Sequence, residues 1–342
     1  MIIEAIKTLS SNKDLSASEM SVVMEEIMSG QAETPNIVSF LTALNAKGET
    51  IEEITAAVSV MRVHSVRITT KEKIIFDTCG TGGDRKGTFN ISTAVGFVVS
   101  GCGITVAKHG NRAVSSSCGS ADILEALGIN INMDKEKLGG CLDEIGIAFL
   151  FAPSLHPAMK YAMPARKQMG VKTIFNILGP LSNPAGATHQ LIGVYDRAKT
   201  GILAQVLNNL GTIHALIVHG EDGLDELTTT AKSYVSELYQ GEVRNYQIAP
   251  EDFGIKKADS KDLLGANALD NAKILLDILN GKTGPCRDIV VLNAAAAIYA
   301  ADKTGSVKEG IALAEGSIDS KKALEKLELL REYSQKHIAD SV

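Results

Sequence analysis

Four clusters in this sequence combine residue types and spacings that could do chemistry. The first runs from Asp77 to Asp84 (DTCGTGGD) and continues through Thr93 (RKGTFNIST). Gly80, Gly82 and Gly83 can adopt positive φ and let the backbone approach a ligand with no Cβ in the way. Successive N–H groups in such a turn form an anion-binding concavity, and a helix start adds unpaired donors. The cluster begins where the apolar run Ile74–Phe76 ends and stops where a helical pattern starts. Strand, glycine loop and helix N-terminus thus follow one another in the order of a phosphate site. A glycine-rich surface turn that binds nothing is the plain alternative. The loop is not a dinucleotide fingerprint, because Arg85 stands where the third glycine belongs. It is not a P-loop either: the only Gly-Lys-Thr run, at Gly281, has Leu276 where the first glycine should be.

The second cluster, Lys108 to Ser120 (KHGNRAVSSSCGS), follows another apolar run and leads into a helix. That places it at the carboxyl edge of a sheet, where α/β folds put ligands. Lys108 and Arg112 supply cations, while Asn111 and Ser115–Ser117 supply donors suited to phosphate oxygens. The third, His219 to Glu226 (HGEDGLDE), ends with paired carboxylates after an apolar strand. Such a pair can hold a hydrated divalent cation or can be a solvated capping turn, and spacing alone leaves both open. The basic cradle elsewhere in the chain favours Mg²⁺. The fourth spans Phe151–Met159, Pro164–Arg166 and Gly170–Pro184. Apolar walls with one arginine suit a flat organic acid, Arg166 pairing its carboxylate; Arg166 in a surface ion pair is the other reading. His156 reads as a buried, hydrogen-bonded residue rather than a general base.

These clusters need a rigid frame. The chain has 342 residues, 45% of them hydrophobic and 22% charged, values of a globular protein with a real core. Aromatics are only 4% with no Trp, so the core must be aliphatic. The net charge of −6 argues against nucleic acid as a general partner. Five cysteines with no C-x-x-C pair suit reduced thiols. The first residues lack a signal-peptide pattern and no apolar stretch reaches the length of a membrane span, so no membrane is expected and the expected location is cytoplasmic.

Up to about residue 65 the pattern is helical. Ser16–Glu19 and Thr50–Glu53 read as capping boxes. The first opens a helix with Val22, Val23, Ile27 and Met28 on its apolar stripe, stopped at Gly30. Thr34 reads as an N-cap before an N1 Pro35, in a helix ending at Gly48. From about 72, strands and helices alternate: strands at Ile74–Asp77, Ile104–Lys108 and Ile213–His219, helices at Ile91–Ser100, Ser120–Leu127 and Asp288–Ala301, a hairpin over Ser233–Ile248, and a solvated helix over Ser320–Val342. The fold class expected is α/β, with a small all-helical N-terminal domain and a larger domain built on a mostly parallel sheet. Residues 1–70 are assigned to the first, joined by helices from about 165–190, and residues 71–342 to the second.

Taken together, the runs at 80–84, 90–93, 108–112, 119–122, 156–159, 175–184 and 219–226 resemble those of the anthranilate phosphoribosyltransferase family, in order and over nearly the whole chain. The resemblance implies a nucleoside-phosphorylase type of fold, a site at the hinge between domains, and a homodimer. It also implies that phosphoribosyl pyrophosphate lies on Gly80, Gly83, Asp84, Thr88, Asn90, Ile91, Ser92, Thr93, Lys108, His109, Gly110, Asn111, Arg112, Ala113, Val114, Ser115, Ser116 and Ser120. Magnesium falls to Ser92, Asp225 and Glu226, and anthranilate to Gly80, Asn111 and Arg166. One departure is Ser117-Cys118, where relatives often carry Lys-Ser.

The chemistry is consistent with that assignment. Displacement of pyrophosphate at an anomeric carbon passes through an oxocarbenium-like state while negative charge grows on the leaving group. Mg²⁺, Lys108 and glycine-loop amides answer that charge, which makes Lys108 the candidate catalytic residue. The aromatic amine is neutral and already nucleophilic, so orientation outweighs a strong base. Two other readings remain: a pyrimidine nucleoside phosphorylase, which carries a different element at Lys108–Arg112, and a non-catalytic relative that binds nucleic acid, for which this acidic chain lacks a basic groove.

Overall fold

The computed structural model describes residues 1–113 and 118–336. Four helices come first: α1 (Ile2–Ser10), α2 (Ala17–Met28), α3 (Thr34–Lys47) and α4 (Ile51–Val63). Both capping boxes are formed. Ser16 and Thr50 accept from the backbone of Glu19 and Glu53, whose carboxylates return the bond to the cap N–H groups. This pairs donors that an isolated helix start leaves open. Before α3 the cap is Glu33 rather than Thr34, which becomes the first helical residue. Pro35 still fits, since an N–H in the first turn has no intrahelical partner. The stripe of α2 is Met20, Val23, Met24, Ile27 and Met28; Val22, expected in it, is 41% exposed.

The α/β part follows as β1 (Phe76–Gly80), α5 (Ile91–Gly101), β2 (Val106–Gly110), α6 (Ser120–Ala126), α7 (Lys135–Ile145) and β3 (Ile147–Phe151). Three helices then cross over: α8 (Ala152–Leu155), α9 (Met159–Met169) and α10 (Phe175–Leu181). The chain returns through β4 (His189–Gly193), α11 (Lys199–Asn209), β5 (His214–Gly220) and the hairpin β6 (Ser233–Tyr239) and β7 (Glu242–Ile248). It closes with α12 (Ala268–Leu279), α13 (Pro285–Ala300), α14 (Val307–Asp319) and α15 (Lys322–Lys336). Among the described residues no helix is long and apolar enough to cross a membrane, and all five cysteines are free.

The seven strands lie in the order β3-β2-β1-β4-β5-β6-β7. The first five are parallel, and β6 and β7 join antiparallel. From β1 the chain builds outward to β3 on one side, then crosses to β4 and β5 on the other. The carboxyl end of β1 is therefore a topological switch point, where flanking loops diverge and leave a crevice. Two cores cover the sheet. One packs α5, α13 and α15 on one face. The other joins α1–α4 with α9, α10 and α11 on the opposite face.

Strand edges fall later than the apolar runs indicate. Ile74 is 43% exposed, and β1 instead carries the buried polar pair Asp77 and Thr78. α13 begins at Pro285, three residues before its expected start. α15 is not simply solvated, because Ala323, Leu327 and Leu330 are buried beside α5.

Candidate active site

Glycine loop, Lys108 cluster and acidic pair all follow strand ends at one edge of the sheet. Thr81, just past β1, donates its N–H to Gly193 O at 2.9 Å. Gly82 (φ 63°), Gly83 (φ 79°) and Arg85 (φ 59°) then curl the chain in the left-handed region. That conformation suits glycine and strains an arginine, a cost of order 1–2 kcal/mol. At Gly80 an added Cβ would lie 3.2 Å from Gly193 O and 3.3 Å from Asp225 Oδ2, so the absence of a side chain lets three loops converge. Thr88 bridges to Leu264. Asn90 caps α5, its Oδ1 accepting from Thr93 N at 3.2 Å and Thr93 Oγ1 at 2.5 Å. The Ile91 side chain is buried in the core, which leaves only its backbone for a ligand.

Lys108 is buried in the middle of β2. Its ammonium donates to the Thr78 carbonyl and to Ser92 Oγ at 3.1 Å. Burial pulls its pKa down, opposed by the charges of Asp77, Cys79 and Glu226. His109 is fixed at two points: its N–H donates to Asp77 Oδ1 at 3.0 Å, and its Nδ1 lies 3.2 Å from Gly179 O. A Cβ at Gly110 would strike Ser120 Oγ and Phe149. Asn111 O accepts from Ser120 Oγ at 3.3 Å and Ala121 N at 3.2 Å. Arg112 is turned toward α6, paired with Asp122 at 3.0 Å and with both oxygens of Glu125 at 2.5 and 2.7 Å. In this arrangement its charge is matched by protein carboxylates. Ala113 N donates to Asp122 Oδ2 at 3.1 Å. Val114, Ser115 and Ser116, and the departure at Ser117, lie outside the described residues.

Beside this cradle Asp225 and Glu226 both lie in the field of Asp84. Asp225 is pushed up to about 7 by burial and by the neighbouring Asp84, with the Gly82 N–H acting against the rise. Glu226 is held well above the carboxylate range by burial and by Asp225, against Lys108 and the Ser92 N–H. Asp84 Oδ2 is buried without a hydrogen-bond partner among the described residues. Neighbouring acids whose burial and mutual charge oppose ionisation are a place where a divalent cation relieves repulsion. Among the described residues no group of three or more His, Cys, Asp or Glu side chains forms a metal cage. Mg²⁺ keeps several waters and takes one or two carboxylates plus substrate phosphates, so a pair such as Asp225 and Glu226 is of the right chemistry for it.

The opposite wall comes from α8–α10. His156 is buried, but neither ring nitrogen has a partner among the described residues, contrary to the expectation that it is hydrogen-bonded. Its ring centre lies 5.1 Å from that of His109. Burial depresses His109 to about 3 and His156 to about 4, so both are neutral at pH 7. Arg166 lies over the Phe175 ring at 5.6 Å and has Met163 Sδ 3.8 Å from Nη1. No carboxylate pairs with it among the described residues, so it is not the surface ion pair that the sequence left open. It makes no hydrogen bond to Gly80 or Asn111 here.

Two structural residues escape a reading of the sequence alone. Asp77, pushed up to about 6 by burial, accepts from Asn183 Nδ2 at 2.8 Å; Asn183 also donates to Ala107 O at 2.8 Å. The pair staples β1 and β2 to the segment after α10. An acid directly after an apolar run is the available signal for Asp77.

Comparison with known proteins agrees with this geometry. Residues 72–324 match the glycosyl transferase family a/b domain, and residues 3–65 match that family's helical bundle domain. Anthranilate phosphoribosyltransferase of Methanocorpusculum labreanum is 55% identical over 331 residues, covering 96% of this chain and 97% of the relative. That of Clostridium kluyveri is 53% identical, covering 98% and 100%. The crystal structure of anthranilate phosphoribosyltransferase from Thermus thermophilus superposes with a TM-score of 0.91 at 39% identity, over 97% of this chain and 99% of that one. The Saccharomyces cerevisiae protein, in complex with PRPP and Mg, gives 0.90 at 29% identity over 98% of each. With this much identity over nearly full length, and the same fold throughout, the chain belongs to the anthranilate phosphoribosyltransferase family.

Proposed function

We infer that this crevice transfers the phosphoribosyl group of 5-phosphoribosyl 1-pyrophosphate to the amine of anthranilate, a step of tryptophan biosynthesis. The products are N-(5-phosphoribosyl)anthranilate and pyrophosphate. The observation that carries the reading is a buried Lys108 ammonium near the carboxyl edge of the sheet, between a glycine loop and the acidic pair Asp225 and Glu226.

In this reading the C1′–O bond to pyrophosphate breaks as the amine nitrogen bonds to C1′, and the nitrogen then loses a proton to solvent. The glycine-loop amides from Gly80 to Asp84 and the donors of Asn90–Thr93 and Lys108–Ser120 hold the phosphates. Lys108 faces the diphosphate, where its desolvated charge counts most as the leaving group departs. Mg²⁺, held through Ser92, Asp225 and Glu226, would neutralise diphosphate charge. His109 and His156, both neutral, offer flat walls to an aromatic ring without competing for its carboxylate. Arg166, lacking an acidic partner among the described residues, is the group proposed to take that carboxylate, with Gly80 and Asn111 completing the pocket. The working form proposed is a homodimer in the cytoplasm. Pyrophosphate release that requires both substrates tests the reading; release with phosphoribosyl pyrophosphate alone contradicts it.

A further inference from the structure

Lys172 sits between α9 and α10, on a segment flanked by helices that pack with α1–α4, and reaches the glycine loop after β1. Its ammonium donates to the Gly83 carbonyl at 2.9 Å and stands 3.1 Å from the centre of the Tyr195 ring. Tyr195 follows β4, and its N–H donates to Thr81 Oγ1 at 3.2 Å, so ring and loop form one floor. Asp225, Asp196 and Asp84 favour the charged lysine; burial and Arg85 oppose it.

The loop needs such a tether. Gly82, Gly83, Arg85 and Gly87 all have positive φ, and the glycines among them impose little shape of their own. Within the loop, Lys86 N donating to Asp84 Oδ1 at 3.2 Å is the one side-chain bond among the described residues. A trans peptide points its C=O and the next N–H in opposite directions. Holding the Gly83 carbonyl on Lys172 therefore fixes where the Asp84 N–H points.

We propose that Lys172 is a positioning residue for phosphoribosyl pyrophosphate, acting through the Gly83–Asp84 peptide that it clamps against Tyr195. The proposal rests on the phosphoribosyl transfer assigned above. Lys172 touches the loop backbone, not the reacting atoms, so its loss should weaken diphosphate binding and leave anthranilate binding alone.

The test compares Lys172→Met and Lys172→Arg with wild type in two measurements. In steady-state kinetics, Lys172→Met should raise KM for phosphoribosyl pyrophosphate about tenfold, the weight of a charge-assisted hydrogen bond. KM for anthranilate should stay within about twofold, and Lys172→Arg should restore most of the loss. In the ligand-free chain, amide exchange over residues 82–86 should quicken in the Met variant and recover in the Arg variant. An unchanged KM for phosphoribosyl pyrophosphate in Lys172→Met overturns the proposal, as does a rise in both KM values with no rescue by arginine. Wild-type turnover is the control: its absence refutes the reaction assigned to the crevice, whereas normal turnover with an indifferent Lys172→Met refutes only the role of Lys172.

Discussion

Lys108 Nζ donates to Ser92 Oγ across 3.1 Å, and that bond ties β2 to the first turn of α5. The cation is thus held where the helix N-terminus already favours negative charge. The ammonium also bonds the Thr78 carbonyl, so it is placed before any substrate arrives. Placement in advance means that little reorganisation is needed when leaving-group charge develops.

Replacing Lys108 with Met should lower kcat about a hundredfold, the scale of losing one preorganised electrostatic donor. KM for anthranilate should hardly move. Single-turnover rates with saturating substrates check this, and an unaltered rate removes Lys108 from catalysis.

Two acids whose pKa is raised by burial, Asp77 and Asp225, predict a pH dependence with a definite sign. Asp77 and Asp225 have folded pKa values of about 6 and about 7, above their ordinary 3.8. Such groups contribute stability that is complete below the unfolded value and is lost as pH rises through the folded one. Asp225→Asn should therefore melt higher than wild type at pH 8 and lose that advantage by pH 5. Mg²⁺ must displace the same proton, so wild-type Mg²⁺ affinity should rise from pH 6 to 8. Thermal melts and calorimetric Mg²⁺ titration with phosphoribosyl pyrophosphate present measure the two effects.

Arg166→Ala should raise KM for anthranilate about tenfold or more, since a charged pair to the carboxylate is lost. KM for phosphoribosyl pyrophosphate should stay near wild type. If anthranilate KM is unmoved, Arg166 is merely a packing residue over Phe175.

Neither His109 nor His156 should protonate above pH 5, because burial holds them at about 3 and about 4. Imidazole ¹³C or ¹⁵N shifts followed from pH 8 to 5 report this directly. A titration near 6.5 in either ring would show that water reaches the wall more freely than the structure has it.

What is legible in the sequence is mostly local. Capping boxes at Ser16 and Thr50 close within three residues, so their patterns suffice. The glycine loop and the Lys108 run follow their strands directly, and strand order is not needed to see them as sheet-edge loops. The apolar run misplaces β1, ending it at Asp77, because Thr78 and the glycine after Cys79 look like loop residues. Asp77 is tolerated inside the sheet by Asn183, 106 positions away, which no local pattern encodes. Lys172 is hidden for the same reason: its partners, Gly83 and Tyr195, come from other loops. Arg112 looks like a free cation in the sequence, yet its carboxylates lie on the next helix. Composition registers such charges but not how they pair.

The most direct test is anthranilate fluorescence in a mixture with phosphoribosyl pyrophosphate, Mg²⁺ and catalytic amounts of this protein. Phosphoribosyl transfer in this crevice predicts a continuous fall in signal that stops on adding EDTA and resumes with excess Mg²⁺. A constant signal from folded protein would contradict it.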